Sequence, residues 1–195
     1  MAKKTGEKYE AIINAAVKVI ARHGYHQAQV SKIAKEANVA DGSIYLYFEN
    51  KEDILISLFA EKMGKFVKMA EQKINEQTTV EEKLRTLVYM HFYQLAKDPD
   101  LAVVTQLELR QSDPLLRKKI NEILKHYLQL IDKIIHLGIE EGTFSSDIDP
   151  LLARYMIFGT LDESVTNWLM KERKYDLLSN VEPILRLLLH GLKPA

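Results

Sequence analysis

The stretch from Val30 to Lys51 reads VSKIAKEANVADGSIYLYFENK. Val30, Ile33, Ala34 and Ala37 recur at spacings of three and four, which predicts a short helix over 30–37 with one apolar face. Its two alanines allow a neighbouring helix to approach closely. Asn38 tolerates the left-handed backbone that ends such a helix. Val39 plugs the turn, and Ala40 or Asp41 begins a second helix, 41–48, anchored inward by Ile44 and Phe48. Two helices joined by so short a turn form a helix-turn-helix unit. The second helix opens with Asp41, Gly42 and Ser43, small and polar residues that let the backbone sit deep in a major groove and face base edges. Ser31, Tyr47 and Lys51 suit phosphate contacts, which position a domain without reading sequence. For Tyr45, contact with DNA and simple packing both remain open.

The remainder of the chain is helical by the same criterion. Ile12, Ile13, Ala16, Val17, Val19 and Ile20 form a face of a helix over 6–23, which Gly24 terminates. Asp98-Pro99, Asp113-Pro114 and Asp149-Pro150 each place a capping carboxylate before a proline suited to a first turn. Thr79 and Glu82 have the spacing of a capping box. Further helices are predicted over 51–76, 80–97, 99–111, 114–141, 150–172 and 177–192, about nine in all. The fold class is all-α: a three-helix DNA-binding part, 1–51, and a larger helical part, 52–195.

Composition narrows the function. The 195 residues carry 27 basic and 27 acidic side chains, so net charge is zero, and there is no cysteine for a disulfide or a thiolate. Through Lys51 the basic residues Lys3, Lys4, Lys8, Lys18, Arg22, Lys32, Lys35 and Lys51 outnumber Glu7, Glu10, Glu36, Asp41 and Glu49. This positive start is compatible with nucleic-acid binding by the N-terminal part. Overall neutrality argues against non-specific DNA coating, which rests on neutralising phosphates. No apolar run reaches the ~18 residues of a membrane span, and MAKKTGEKYE lacks the apolar core of a signal peptide, so a cytoplasmic protein is expected. Gly-rich phosphate loop, zinc-protease helix and nucleophile elbow are all missing. His91, His126, His136 and His190 are scattered, and His23 and His26 lack a metal-ligand partner at helical spacing. Neither an enzyme nor a metal site is expected.

The Val30–Lys51 segment resembles the signature of the TetR family of transcriptional regulators, in which Val-x-x-Ile-Ala-x-x-Ala precedes Gly-[Thr/Ser]-x-Tyr-x-Tyr-Phe-x-x-Lys. Val30, Ile33, Ala34, Ala37, Val39, Gly42, Ser43, Tyr45, Tyr47, Phe48 and Lys51 fall on that pattern. Asn38 stands where glycine is usual and Ser43 where threonine is commonest. The resemblance implies a homodimer that presents two recognition helices about 34–36 Å apart to a palindrome. It also implies dimerisation through the last two helices, here around Leu152, Tyr155, Met156, Gly159, Val165, Trp168 and Leu169, and around Ile184, Leu185, Leu187, Leu188, Leu189 and Leu192. Leu187 to Leu189 make a run wider than one core-facing stripe, consistent with a second buried face.

Three further segments, DGSIYLYFENKEDILISLFAEKMGKF, VTQLELRQSDPLLRKKINEILKHYL and RYMIFGTLDESVTNWLM, resemble the fatty-acid-degradation repressors of Gram-positive bacteria. That implies a repressor without cofactor that releases operator DNA when long-chain acyl-coenzyme A binds. An acyl tail needs a long apolar tunnel, and each buried methylene contributes about 0.8 kcal/mol. Met63, Phe66, Leu87, Phe92, Leu107 and Met156 are candidate lining residues, with Gln106 beside them. The coenzyme's phosphates call for cations, Arg above all. Arg110 is the first candidate, then Arg85, Arg117 and Lys118, each of which also reads as a solvated surface charge. A repressor of a multidrug efflux system, with Glu108, Asp162 and Glu163 facing cationic drugs, is the rival within the same fold. A helical enzyme is the rival of another class.

Overall fold

The computed structural model describes residues 5–194 and is all-α, with no strand among those residues. Lys3 and Lys4, part of the N-terminal charge excess, lie outside the described residues. The helices are α1 (Glu7–Gln27), α2 (Val30–Glu36), α3 (Asp41–Ile44), α4 (Lys51–Asn75), α5 (Val80–Lys97), α6 (Pro99–Glu108), α7 (Pro114–Glu140), α8 (Pro150–Met170) and α9 (Val181–Leu192), with a 3₁₀ turn at Leu177–Asn180. They fall into two compact units that do not follow chain order. The first takes the chain up to Gly64 together with Pro99–Ile123, and the second takes Lys65–Asp98 together with Leu124 onward.

In the first unit α1 packs on α2 and α6, and α2 on α3. The core is built from Tyr9, Ile12, Ala16 and Ile20 of α1, Ile33 and Ala34 of α2, then Ile44, Phe48, Leu55 and Leu58. Gly24 has φ 70°, ψ 156°, which breaks α1 into a long helix and a last short turn. A glycine is needed there because an L side chain disfavours positive φ. In the second unit α5 packs against α8, α9 and the 3₁₀ turn, around Leu84, Leu87, Val88 and Phe92, with Tyr127, Ile131, Ile134, Ile157, Leu161, Val165 and Leu188 also buried.

The caps expected at Thr79, Asp113 and Asp149 are made. Thr79 Oγ1 accepts the Glu82 N–H at 3.2 Å and Glu82 Oε2 accepts the Thr79 N–H at 3.1 Å. Asp113 and Asp149 accept the N–H groups of Leu115 and Leu116, and of Leu151 and Leu152. Several helices are shorter than periodicity predicts, and α6 stops at Glu108 rather than 111. α3 is α-helical only over Asp41–Ile44 and continues as turns through Tyr47, because the Leu46 and Tyr47 N–H groups reach carbonyls three residues back. α9 begins at Val181 rather than 177. Pro183 has no N–H and its ring would meet the Ser179 carbonyl in a continuous helix, so the preceding residues adopt a 3₁₀ turn, with Asp176 accepting the Leu178 N–H at 3.0 Å. α8 ends two residues early, at Met170, where Glu172 and Arg173 turn left-handed with φ 55° and 60°. No helix among the described residues is long and apolar enough to cross a membrane.

Candidate nucleic-acid interface and effector core

The helix-turn-helix is closed by backbone chemistry. Asn38 sits at φ 55°, and the N–H groups of Asn38 and Val39 donate to the carbonyls of Lys35 and Ala34 at 3.1 and 3.0 Å. That pair of bonds satisfies the last carbonyls of α2 and reverses the chain toward α3. Ala40 is extended and precedes the first helical residue, Asp41. With Ile44 and Phe48 fully buried, the residues between them and before them turn outward. Asp41, Gly42 and Ser31 are exposed and Ser43 is half-buried. Tyr45 is 59% exposed and Leu46 67%, which resolves Tyr45 away from the core. Leu46 was not singled out by sequence, although its place between anchors at positions 44 and 48 is the signal. Tyr47 is half-buried, its ring 6.4 Å from that of Tyr9 and 6.5 Å from that of Phe48.

Lys51 has a different occupation. Its Nζ donates to the carbonyls of Tyr25 and His26, both at 3.0 Å, and lies 4.7 Å from the Tyr25 ring centroid. Two of its three donors thus close the end of α1, and one is left for solvent or phosphate. Lys18 and Arg22 on α1 pair with Glu36 on α2 at 3.3 and 3.0 Å, and these two cations hold the carboxyl of Glu36 below its ordinary range, Lys18 first. The Tyr25 backbone is gripped from its other side as well: its N–H donates to Glu108 Oε1 at 3.0 Å, and the other oxygen of Glu108 takes the Gln111 amide. Glu108 and Gln111 are both buried. Glu108, read from sequence as a drug-facing acid, is instead the peg that joins α6 to the turn before α2.

The expected effector residues divide between the units. Met63, Gln106, Leu107 and Arg110 belong to the first, and Phe66, Leu87, Phe92 and Met156 to the second. Leu107 is 56% exposed. Arg110 is exposed and donates to the Gln106 carbonyl at 3.1 Å. Arg85 pairs with Glu182, Arg117 donates to the Gln111 carbonyl at 3.0 Å, and Lys118 is exposed. In the second unit Leu87 and Phe92 are fully buried and Phe66 nearly so. Met156 is half-buried, its sulfur 3.3 Å from where a Cβ at Gly191 would stand.

The second unit also buries a polar pair that no local sequence pattern reveals. His91 Nδ1 lies 2.8 Å from Tyr127 Oη. Around them stand Phe92, 5.8 Å from the His91 ring, and Phe66 and Phe158, 5.4 and 6.1 Å from the Tyr127 ring. Burial pushes the His91 pKa down to about 4, against an opposing pull from Asp162, and burial followed by the same carboxylate pushes the Tyr127 phenol well up. The partners are 36 residues apart in sequence, which is why His91 read as unpaired.

On α8 and α9 a set of apolar side chains faces outward: Leu151, Leu152, Tyr155, Met170 and Leu187 are all between 44% and 78% exposed. Val165 and Trp168, expected at the dimer face, are buried in the unit's own core, and Trp168 Nε1 donates to the Tyr175 carbonyl at 2.9 Å.

Residues 12–58 match the family model of bacterial regulatory proteins of the tetR family, and residues 59–191 that of the YsiA-like protein C-terminal region. The chain is 57% identical over 190 residues to the fatty acid metabolism regulator protein of Bacillus subtilis (strain 168), covering 97% of this chain and 98% of that one. Among solved structures it superposes at TM-score 0.91 and 64% identity on the fatty acid degradation regulator FadR of Bacillus halodurans, over 95% of this chain and 100% of that one. It superposes equally, at TM-score 0.91 and 58% identity, on FadR of Bacillus subtilis in complex with stearoyl-CoA, over 94% and 99% of the two chains. With both of its parts matched and its helix-turn-helix formed, the chain belongs to the TetR family of bacterial regulatory proteins.

Proposed function

We propose that this protein is a transcriptional repressor of fatty-acid-degradation genes, binding palindromic operator DNA as a homodimer and leaving it when long-chain acyl-CoA binds. The observation that carries this is identity of 57% to 64% along nearly the whole chain to regulators of fatty acid metabolism, one of them solved with stearoyl-CoA. Functionally the division is 1–51 for DNA and 52–195 for effector and dimerisation. Asp41, Gly42, Ser43 and Tyr45 face base edges, and Ser31, Tyr47 and the remaining donor of Lys51 face the sugar-phosphate backbone. The exposed apolar set on α8 and α9 meets its copy across a two-fold axis, since unpartnered apolar surface of this kind marks an interaction face. The acyl chain takes the aromatic and aliphatic core of the second unit, around Phe66, Leu87 and Phe92.

Release is a linkage effect. Acyl-CoA must prefer the form whose recognition helices are wrongly spaced, and a full switch needs roughly 10⁴-fold differential affinity. Thermal unfolding with palmitoyl-CoA, palmitate, coenzyme A or a lipophilic cation tests the ligand class. Ligand at a hundred times its dissociation constant stabilises by about 2.7 kcal/mol, a shift of several degrees at this size. A rise with palmitoyl-CoA alone supports the proposal. A rise with the cation and none with palmitoyl-CoA transfers the function to drug efflux.

A further inference from the structure

The pair His91–Tyr127 brings two polar hydrogens into the second unit's core, one on the neutral imidazole and one on the phenol. Their mutual bond, 2.8 Å long, uses one of them. If the phenol O–H donates to Nδ1, the hydrogen on Nε2 is left over. In the other tautomer Nδ1–H donates to Oη, and the phenol hydrogen is left over. Either way one donor faces the core without an acceptor, and His91 Nε2, itself buried, has no hydrogen-bond partner among the described residues. Buried polar groups are paired with few exceptions, so a surplus donor asks for an occupant. The neighbours Phe66, Phe92 and Phe158 present no acceptor.

A long acyl chain is methylenes throughout, and its one polar atom at the thioester is a carbonyl oxygen, which accepts and cannot donate. The core and the ligand therefore lack opposite halves of one hydrogen bond. We propose that the His91–Tyr127 pair donates its surplus hydrogen to the thioester carbonyl of the bound acyl-CoA, and that Asp162 beside it makes the site select the neutral thioester over a free carboxylate. The inference rests on acyl-CoA being the effector. Asp162 is buried and its negative charge bears on both His91 and Tyr127; in a medium of low dielectric it repels a second carboxylate. The histidine is held neutral at physiological pH by burial, so it contributes no cation to offset that repulsion.

The test compares palmitoyl-CoA, its thioether analogue S-hexadecyl-CoA and palmitate by calorimetry on wild-type protein, Tyr127→Phe and the double variant His91→Leu with Tyr127→Phe. The thioether keeps the coenzyme and chain and replaces the carbonyl with a methylene. Wild type is expected to prefer the thioester over the thioether about tenfold, the worth of one net hydrogen bond. In the double variant, which carries neither hydrogen, that ratio falls to about one, and Tyr127→Phe, which keeps the imidazole N–H, recovers most of it. Palmitate binds wild type far more weakly than palmitoyl-CoA. Should the double variant not fold, the wild-type ratio and the infrared stretch of ¹³C-labelled thioester carbonyl decide alone, the stretch moving to lower wavenumber on binding. Equal binding of thioester and thioether by wild type, with an unshifted carbonyl, overturns the inference and assigns the donor to a trapped water, leaving the acyl-CoA reading intact. Binding of neither coenzyme derivative defeats the acyl-CoA reading and the inference with it.

Discussion

Replacing Glu108 with alanine should destabilise the DNA-binding unit, and the loss can be worked from its contacts. The turn at Gly24 presents the Tyr25 N–H to Glu108, which accepts it at 3.0 Å while its second oxygen takes the Gln111 amide. Both bonds are charge-assisted, and Glu108 and Gln111 are 5% and 4% exposed. Alanine leaves two buried donors without an acceptor, each costing about 1–3 kcal/mol. Water admitted to the vacated space favours the low end, so about 3 kcal/mol in total is expected. For a chain of 195 residues each kcal/mol lowers Tm by about 2–4 °C, giving a fall of roughly 6–12 °C by scanning calorimetry. Glu108→Gln is the control. Its carbonyl can still accept the Tyr25 N–H, and its amide can donate to Gln111 Oε1, which now lacks a partner, so a loss of about 1 kcal/mol or less is expected. An alanine variant that melts within 2 °C of wild type, or a glutamine variant that falls as far as alanine, refutes the reasoning.

Three other outcomes follow from the structure. His91 binds its proton more weakly folded than unfolded, with a pKa of about 4 against 6.5, so its contribution is present above pH 6.5 and lost as pH falls toward 4. Between pH 7.5 and 5 wild type should lose about 2 kcal/mol more than His91→Leu by denaturant unfolding, and parallel losses would contradict the burial of a neutral imidazole. Gly138→Ala sets a new Cβ 2.6–2.7 Å from Cε2 and Cγ of the buried Phe144; overpacking should outweigh the gain in helix propensity and destabilise by about 1–3 kcal/mol, and a more stable variant would show that the ring yields freely. Leu152→Glu with Leu187→Glu alters side chains that are 63% and 68% exposed, so each protomer should unfold much as before while light scattering reports a monomer; a dimer that persists moves the interface elsewhere.

What the sequence could disclose depended on how far apart the interacting residues lie. Asn38 at its left-handed cap, the Thr79–Glu82 box and the Asp149 cap are contacts within a few residues, and each is made as local chemistry dictates. The helix-turn-helix was readable because its anchors Ile33, Ala34, Ile44 and Phe48 repeat at helical spacing and are all buried. Element ends were harder: α3 loosens into turns after Ile44, and Pro183 shortens α9. Contacts across long sequence separations were invisible. Glu108 reaches Tyr25 over 83 residues and His91 reaches Tyr127 over 36, and nothing in either segment's periodicity identifies the partner. The effector residues suffered most, since apolar side chains such as Leu87, Phe92 and Leu107 look alike in sequence whether they end fully buried or exposed.

Under the proposed function one protein both holds a palindromic operator and lets it go for acyl-CoA. Fluorescence anisotropy on a labelled duplex, selected by the protein from a random DNA pool and titrated with palmitoyl-CoA, tests both halves together. The expected result is a two-fold symmetric selected site, released by palmitoyl-CoA and retained with equal concentrations of palmitate or coenzyme A. A complex that survives saturating palmitoyl-CoA, or that yields to a lipophilic cation instead, would contradict it.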